Sequence, residues 1–118
     1  MATTLAPFNN YIVYYTARGQ SSQVNAGFIS CFYQDTEVAQ LQFIPDDVPF
    51  NIGGGLATGG EVVLYYQLRQ FEDVLAILQH EGPLAVWFDD VEKYGYILTT
   101  TLEAVGELEG PVQLLVPP

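Results

Sequence analysis

Positive charge is scarce in this chain of 118 residues. Arg18, Arg69 and Lys93 stand against fourteen Asp and Glu, so the formal net charge is −11. Proteins bind nucleic acid largely through Lys and Arg side chains that displace counterions from the phosphates. We therefore expect no direct nucleic-acid binding, and the ordinary role of such a charge is to keep a protein soluble.

Cysteine is nearly absent as well. Cys31 is the single cysteine of the sequence, so the chain forms no internal disulfide and does not resemble a secreted, cross-linked scaffold. The residue lies within an apolar stretch and has no cationic neighbour in sequence that would lower the pKa of its thiol. A buried, unreactive thiol is the prediction for this position.

Long apolar runs are missing too. No run approaches the ~20 residues needed to cross a bilayer. The first ten residues lack the basic segment and the continuous apolar segment of a signal peptide. We therefore expect a cytoplasmic protein that makes no contact with membranes.

Apolar and aromatic residues are abundant. Hydrophobic residues make up 49% of the chain, which includes eight Tyr, seven Phe and one Trp. This is enough for a core without disulfides or metals, and the pattern implies no cofactor. The length fits a single domain, 1–118, with residues 1–10 as a loose lead-in and residues 111–118 as an apolar tail.

The hydrophobic periodicity predicts an α+β fold. We expect a mainly antiparallel sheet of about six strands and one amphipathic helix, in the order β-β-β-β-α-β-β. The helix is predicted over residues 69–81 from the spacing of Phe71, Val74 and Leu78. The predicted strands are 11–17, 26–33, 37–44, 61–68, 84–88 and 94–101. The second and third strands, and likewise the fifth and sixth, are expected to form hairpins.

Several predicted strands are apolar on both faces. In residues 11–17, Tyr11 and Tyr15 face one side while Ile12 and Tyr14 face the other. One helix, ~10–12 Å across, is too narrow to cover a six-stranded sheet ~29 Å wide. The sheet must close into a barrel or sandwich, or a second copy must cover it, and we favour a homo-oligomer.

This pattern selects candidate interface residues. They are aromatic side chains on the two-sided strands: Tyr11, Tyr14, Tyr15, Tyr65, Tyr66 and Trp87. The apolar tail at residues 112–116 is equally well explained as part of such an interface or as an edge strand of its own domain.

Few residues suggest chemistry. Asp89, Asp90 and Glu92 cluster in a predicted turn and are candidate metal ligands, because hard cations bind carboxylate oxygens in loops. Turns also favour Asp without any metal, and the EF-hand pattern is absent. His80 is the only histidine and is expected at the exposed end of the helix. The glycine-rich stretch 53–60 lacks a phosphate-binding motif and is predicted to be a mobile loop.

Three functions remain open from the sequence. The first, which we favour, is a non-catalytic, self-associating protein–protein interaction module. Binding of a partner protein is a further option for such a module. The second is a small-ligand or metal-binding protein, with or without enzymatic activity, in which residues 53–60 act as a lid. The third is an acidic decoy of nucleic acid that binds a basic partner protein, which the net charge of −11 suggests.

Overall fold

The computed structural model describes residues 3–15 and 26–101, and it confirms an α+β fold. Its strands are β1 (Thr3–Phe8), β2 (Asn10–Tyr15), β3 (Gly27–Tyr33), β4 (Thr36–Ile44), β5 (Gly54–Leu56), β6 (Val62–Gln67), β7 (Leu84–Asp89) and β8 (Tyr94–Thr99). A 3-10 turn, Leu68–Gln70, leads into the helix α1, Phe71–His80. The apolar tail 111–118 lies outside the described residues, so the interpretations of it stay predictions.

The strands form two sheets. The larger has the order β2-β3-β4-β6-β5 and the smaller has the order β1-β7-β8. The described strand pairs are antiparallel except for β4 and β6, which run parallel. The mainly antiparallel architecture is therefore confirmed, with eight strands in two sheets across the described residues where about six strands in one sheet were expected.

The two sheets bury their apolar faces in one common core. Phe8, Val86 and Phe88 of the smaller sheet belong to the same buried cluster as Ile29 and Leu41 of the larger sheet. The smaller sheet therefore supplies much of the cover that one helix is too narrow to give. The inner faces of the strands close within a single copy of the chain as two layers.

The two layers are linked on both sides. Only Asn9 separates β1 from β2, and its N–H donates to the carbonyl oxygen of Phe32 at 2.9 Å. On the side of β5, the Gly53 N–H donates to the carbonyl oxygen of Lys93 at 2.7 Å. The Gly53 carbonyl accepts from the N–H of Tyr65 at 2.9 Å, so this residue connects the start of β8 with β6.

The prediction of a loose lead-in at residues 1–10 is wrong for residues 3–8. They form β1, which pairs with β7 from Thr3 opposite Asp89 to Phe8 opposite Leu84. The sequence shows no alternation here because Leu5 faces outward and is apolar like the buried Ala6, and Pro7 disfavours a strand. The proline is tolerated because β1 is an edge strand of its sheet, where a backbone N–H is not required.

The prediction of a mobile loop at residues 53–60 is also wrong in part, because Gly54–Leu56 form β5 against β6. A Cβ at Gly54 would collide with the carbonyl oxygen of Val63 and would lie 3.1 Å from side-chain atoms of Leu64 and Phe88. Glycine is therefore present at this position because the packing leaves no room for a side chain. Gly54–Leu56 are therefore not part of a mobile lid, and such a role for residues 57–60 stays a prediction.

The predicted helix and hairpins are confirmed. Val74 and Leu78 are the buried residues of α1 and carry its apolar stripe into the core. Between β3 and β4, Gln34 and Asp35 have φ of 51° and 68°, the positive values of a two-residue hairpin turn. Over residues 3–15 and 26–101, no helix is long and apolar enough to span a membrane.

Candidate interaction surface

β2 exposes more large hydrophobic side chains than any other described strand. The exposed fractions are 47% for Ile12, 39% for Val13, 44% for Tyr14 and 67% for Tyr15. β-Branched and aromatic residues favour the extended backbone, which explains why this segment forms a strand without being buried. We call these four side chains, together with the edge of the strand that is unpaired within residues 3–15 and 26–101, the β2 surface.

Within the described residues, one edge of β2 has no strand paired with it. β2 is the outermost strand of the larger sheet, and β3 is its only partner in the described part of the chain. An outermost strand presents backbone N–H and C=O groups that its own sheet does not use. Residues 3–15 also contain no charged side chain, although the whole chain carries −11.

The β2 surface continues onto the outer face of the larger sheet, the side that points away from the core. The Tyr14 ring stacks on Phe28, with centroids 4.4 Å apart and planes inclined by 19°. Next in the same cross-strand row come Gln42 and Tyr65. Tyr65 in turn contacts the ring of Phe50 edge-on, with centroids 6.3 Å apart. A row of mainly aromatic side chains thus crosses four strands.

A line of amides runs along β4 through the middle of the outer face. The Nε2 of Gln42 donates to the Oε1 of Gln40 at 3.0 Å, and the Nε2 of Gln40 donates to the Oε2 of Glu37 at 3.0 Å. The line is uncharged along most of its length and ends at one carboxylate. Aromatic rings beside hydrogen-bonding groups make up a surface of the kind found in protein interfaces.

A second aromatic cluster lies on the outer side of the smaller sheet. The rings of Trp87 and Tyr96 stack with centroids 4.9 Å apart, and Tyr94 meets Trp87 edge-on at 5.5 Å. Leu5, 57% exposed, lies opposite Trp87 in the register. This cluster differs from the β2 surface because Asp89 is paired with Tyr94 at its end.

The candidate interface residues occupy different places. Tyr14 and Tyr65 lie together on the outer face, while Trp87 lies on the other sheet. Tyr15 stacks on Phe71 of α1, with centroids 5.3 Å apart. Their contact with a partner stays a prediction, and the structure brings only part of the set together.

Two of the predicted interface residues, Tyr11 and Tyr66, are partly buried and pack against the core, and their contact with a partner stays a prediction. Tyr66 stacks on Phe43 with centroids 5.7 Å apart. Burial raises the pKa of the Tyr66 hydroxyl to about 12, and the nearby Cys31 thiol adds to the shift. These two rings were grouped with the others because strands that are apolar on both faces do not show which face is inner.

The carboxylates predicted as metal ligands stabilise a turn. The Oδ1 of Asp89 accepts the N–H of Val91 at 2.9 Å and that of Glu92 at 3.2 Å. The Oδ1 of Asp90 lies 2.7 Å from the Nζ of Lys93. No group of three or more metal-ligating side chains occurs within the described ranges, so Asp89, Asp90 and Glu92 do not form such a site.

Cys31 and His80 lie where the sequence predicted them. Cys31 is 0% exposed, and burial raises the pKa of its thiol to about 12, with a further contribution from Glu37. The thiol is therefore buried and protonated at neutral pH. His80 is the last residue of α1 and is exposed to solvent.

Two of the clefts among the described residues bear on the ligand-binding alternative. One of about 210 Å³ lies between the end of α1 and the β1–β2 junction, where Tyr11, Leu78 and Pro83 line it. The other, about 380 Å³, is an open groove beside β1 that includes Glu37 and Glu61. Sites for small molecules usually measure about 300–1,000 Å³ and enclose the ligand. The smaller cleft falls below that range, and the larger is open.

Comparisons with known proteins add no function to this geometry. Nothing among the protein-family models, the curated proteins or the solved structures matches the chain significantly. A functional argument therefore depends on the surface features of the chain itself.

Proposed function

We propose that this domain is a non-catalytic interaction module that self-associates through the β2 surface. The observation that carries the proposal is an exposed strand without charge. Four of its apolar side chains are each more than a third exposed: Ile12, Val13, Tyr14 and Tyr15. A concentration of exposed apolar side chains marks contact sites in soluble proteins. Aromatic residues are also enriched in protein interfaces.

The distribution of charge also supports self-association through the β2 surface. Two copies that each carry −11 repel one another, and the repulsion is smallest where no carboxylates are brought together. Residues 3–15 contain no carboxylate, and the line of amides on β4 has its one carboxylate at its end, at Glu37. The β2 surface therefore allows contact between copies at low electrostatic cost.

The test is the molar mass in solution, measured by light scattering over a range of about 1 µM to 1 mM, which spans weak to moderate association. The mass is expected to rise from 13.0 kDa toward twice that value, 26.0 kDa. Added salt should strengthen the association because it screens the repulsion between copies. A mass that stays at 13.0 kDa at every concentration and salt level contradicts the proposal.

The salt dependence also separates this function from the acidic decoy. A decoy would bind a basic partner through unlike charges, so added salt would weaken its complex. Ligand or metal binding, the other alternative, predicts a higher melting temperature with the ligand, because the ligand binds only the native state.

A further inference from the structure

We propose that two copies of this chain pair edge to edge through β2 in an antiparallel, two-fold arrangement. The two five-stranded sheets would then continue as one ten-stranded sheet. This inference rests on the proposed function and names the partner and the contact. Its first support is that β2 is the terminal strand of the larger sheet and is unpaired on one edge within the described residues.

The second support is that β2 lacks the features that protect edge strands. Proteins block such edges with proline, charged residues, bulges or very short strands. β1 carries Pro7, and β5 has only three residues. β2 is six residues long, contains neither proline nor charge, and pairs with β3 without a register shift.

The third support indicates that the strand that pairs with β2 belongs to a second copy of the chain. In a two-fold antiparallel pair, each strand meets the same sequence, so the apolar side chains of one copy meet those of the other. Like charges directly opposite one another destabilise a strand pair. The absence of charge in residues 3–15 makes β2 compatible with itself in a chain that is otherwise strongly acidic.

The size of the contact sets its strength. Four side chains that are each about half exposed contribute roughly 300–500 Å² per copy, because a large apolar side chain presents ~150–250 Å². A standard stable interface buries ~800 Å² per partner. We therefore expect a weak dimer, with a dissociation constant of roughly micromolar to millimolar size.

The first experiment compares Ile12→Lys with Val91→Lys in the full chain. Both residues are exposed, at 47% and 66%, and both changes take the net charge from −11 to −10. A lysine on β2 places like charges across the two-fold pair, so Ile12→Lys should raise the dissociation constant at least tenfold. Val91 lies in the turn before β8, and Val91→Lys should leave the constant unchanged.

The second experiment uses cysteine cross-linking to locate the contact. Residues that face each other across an antiparallel pair have Cα atoms about 4.5–5.5 Å apart, within reach of a disulfide. The substitutions Ile12→Cys, Val13→Cys and Tyr14→Cys are oxidised mildly, each alone and in equimolar mixtures of two variants, because a residue faces its own copy only on the two-fold axis; Val91→Cys is the control. The native Cys31 is buried and does not interfere. At least one β2 variant, alone or mixed with a second one, should give a covalent dimer, and Val91→Cys should give none.

The outcomes separate this inference from the proposed function. If the wild-type chain self-associates but Ile12→Lys associates equally well and no β2 variant cross-links, edge pairing is wrong and self-association stands. If the wild-type chain remains a monomer throughout, both are wrong, and the edge of β2 belongs to the chain's own tail or to a strand of another protein.

Discussion

The rings of Tyr14 and Phe28 stack with their centroids 4.4 Å apart and join the outermost strand to its neighbour on the outer face. On the other side of the same strand, Tyr15 stacks on Phe71 of α1. β2 is thus held from both sides while its side chains stay exposed. A strand fixed in this way needs little ordering when it binds, which lowers the entropic cost of association.

The Tyr14–Phe28 stack should contribute measurably to stability. Tyr14→Ala is expected to lower the free energy of unfolding by about 1–1.5 kcal/mol, because stacked aromatic pairs contribute beyond their buried area. Urea unfolding of the monomeric chain at low concentration measures the change. Tyr33→Ala is the control, because Tyr33 is also 44% exposed and takes no part in the ring contacts found among the described residues. Equal losses in the two variants would contradict the role of the stack.

Two adjacent glycines of β5 should respond differently to alanine. A Cβ at Gly54 collides with the Val63 carbonyl oxygen, whereas a Cβ at Gly55 meets nothing within 4 Å. Gly54→Ala should therefore lower the free energy of unfolding by at least ~2 kcal/mol through overpacking. Gly55→Ala should change it by less than ~0.5 kcal/mol. Thermal unfolding of both variants provides the comparison, and similar melting temperatures would refute the close packing of β5.

Asp46 should stabilise the start of the helical segment. Its Oδ1 accepts the N–H of Arg69 at 3.1 Å, and Arg69 lies in the 3-10 turn before α1. Helix starts have N–H groups without partners, so Asp46→Ala is expected to cost about 0.5–2 kcal/mol. Asp46→Asn should keep most of the stability, since the amide oxygen also accepts. Asp47→Ala is the control in chemical denaturation, and a loss there as large as at Asp46 would exclude this contact as the cause.

Stability should fall at alkaline pH. Burial raises the pKa of Cys31 from 9.0 to about 12 and that of Tyr66 from 10.0 to about 12. The stabilisation is complete below the unfolded values and declines as the pH rises from about 9 to about 12, because only the unfolded chain then releases these protons. Cys31→Ala and Tyr66→Phe should each flatten the decline in unfolding free energy with pH. An unchanged slope in both variants would contradict the burial of these groups.

The elements with clear local signals were predictable. The helix follows from the spacing of Val74 and Leu78, and the hairpin between β3 and β4 follows from two alternating segments joined by a short polar turn. β1 and β5 were missed because their patterns depend on distant partners. Pro7 is acceptable only on an edge strand, and Gly54 is required only where β5 packs closely against β6 and Phe88.

The candidate site was predictable in composition but not in geometry. The sequence identified Tyr14 and Tyr65 as interface candidates, and both lie on the outer face. It also included Tyr11 and Tyr66, which pack against the core. When a strand is apolar on both faces, the sequence does not show which face points inward. The position of β2 at the end of the sheet could not be predicted from the sequence, since strand order is a property of the whole sheet.

Amide hydrogen exchange, measured at low and at high protein concentration, tests the central claim most directly. Pairing through β2 protects the backbone N–H groups of Asn10–Tyr15 that point toward the open edge. Exchange in this strand should slow as the concentration rises past the dissociation constant, while exchange in Tyr94–Thr99 of β8 stays constant. Exchange in β2 that is independent of concentration, or a slowing confined to β8, would contradict self-association through β2.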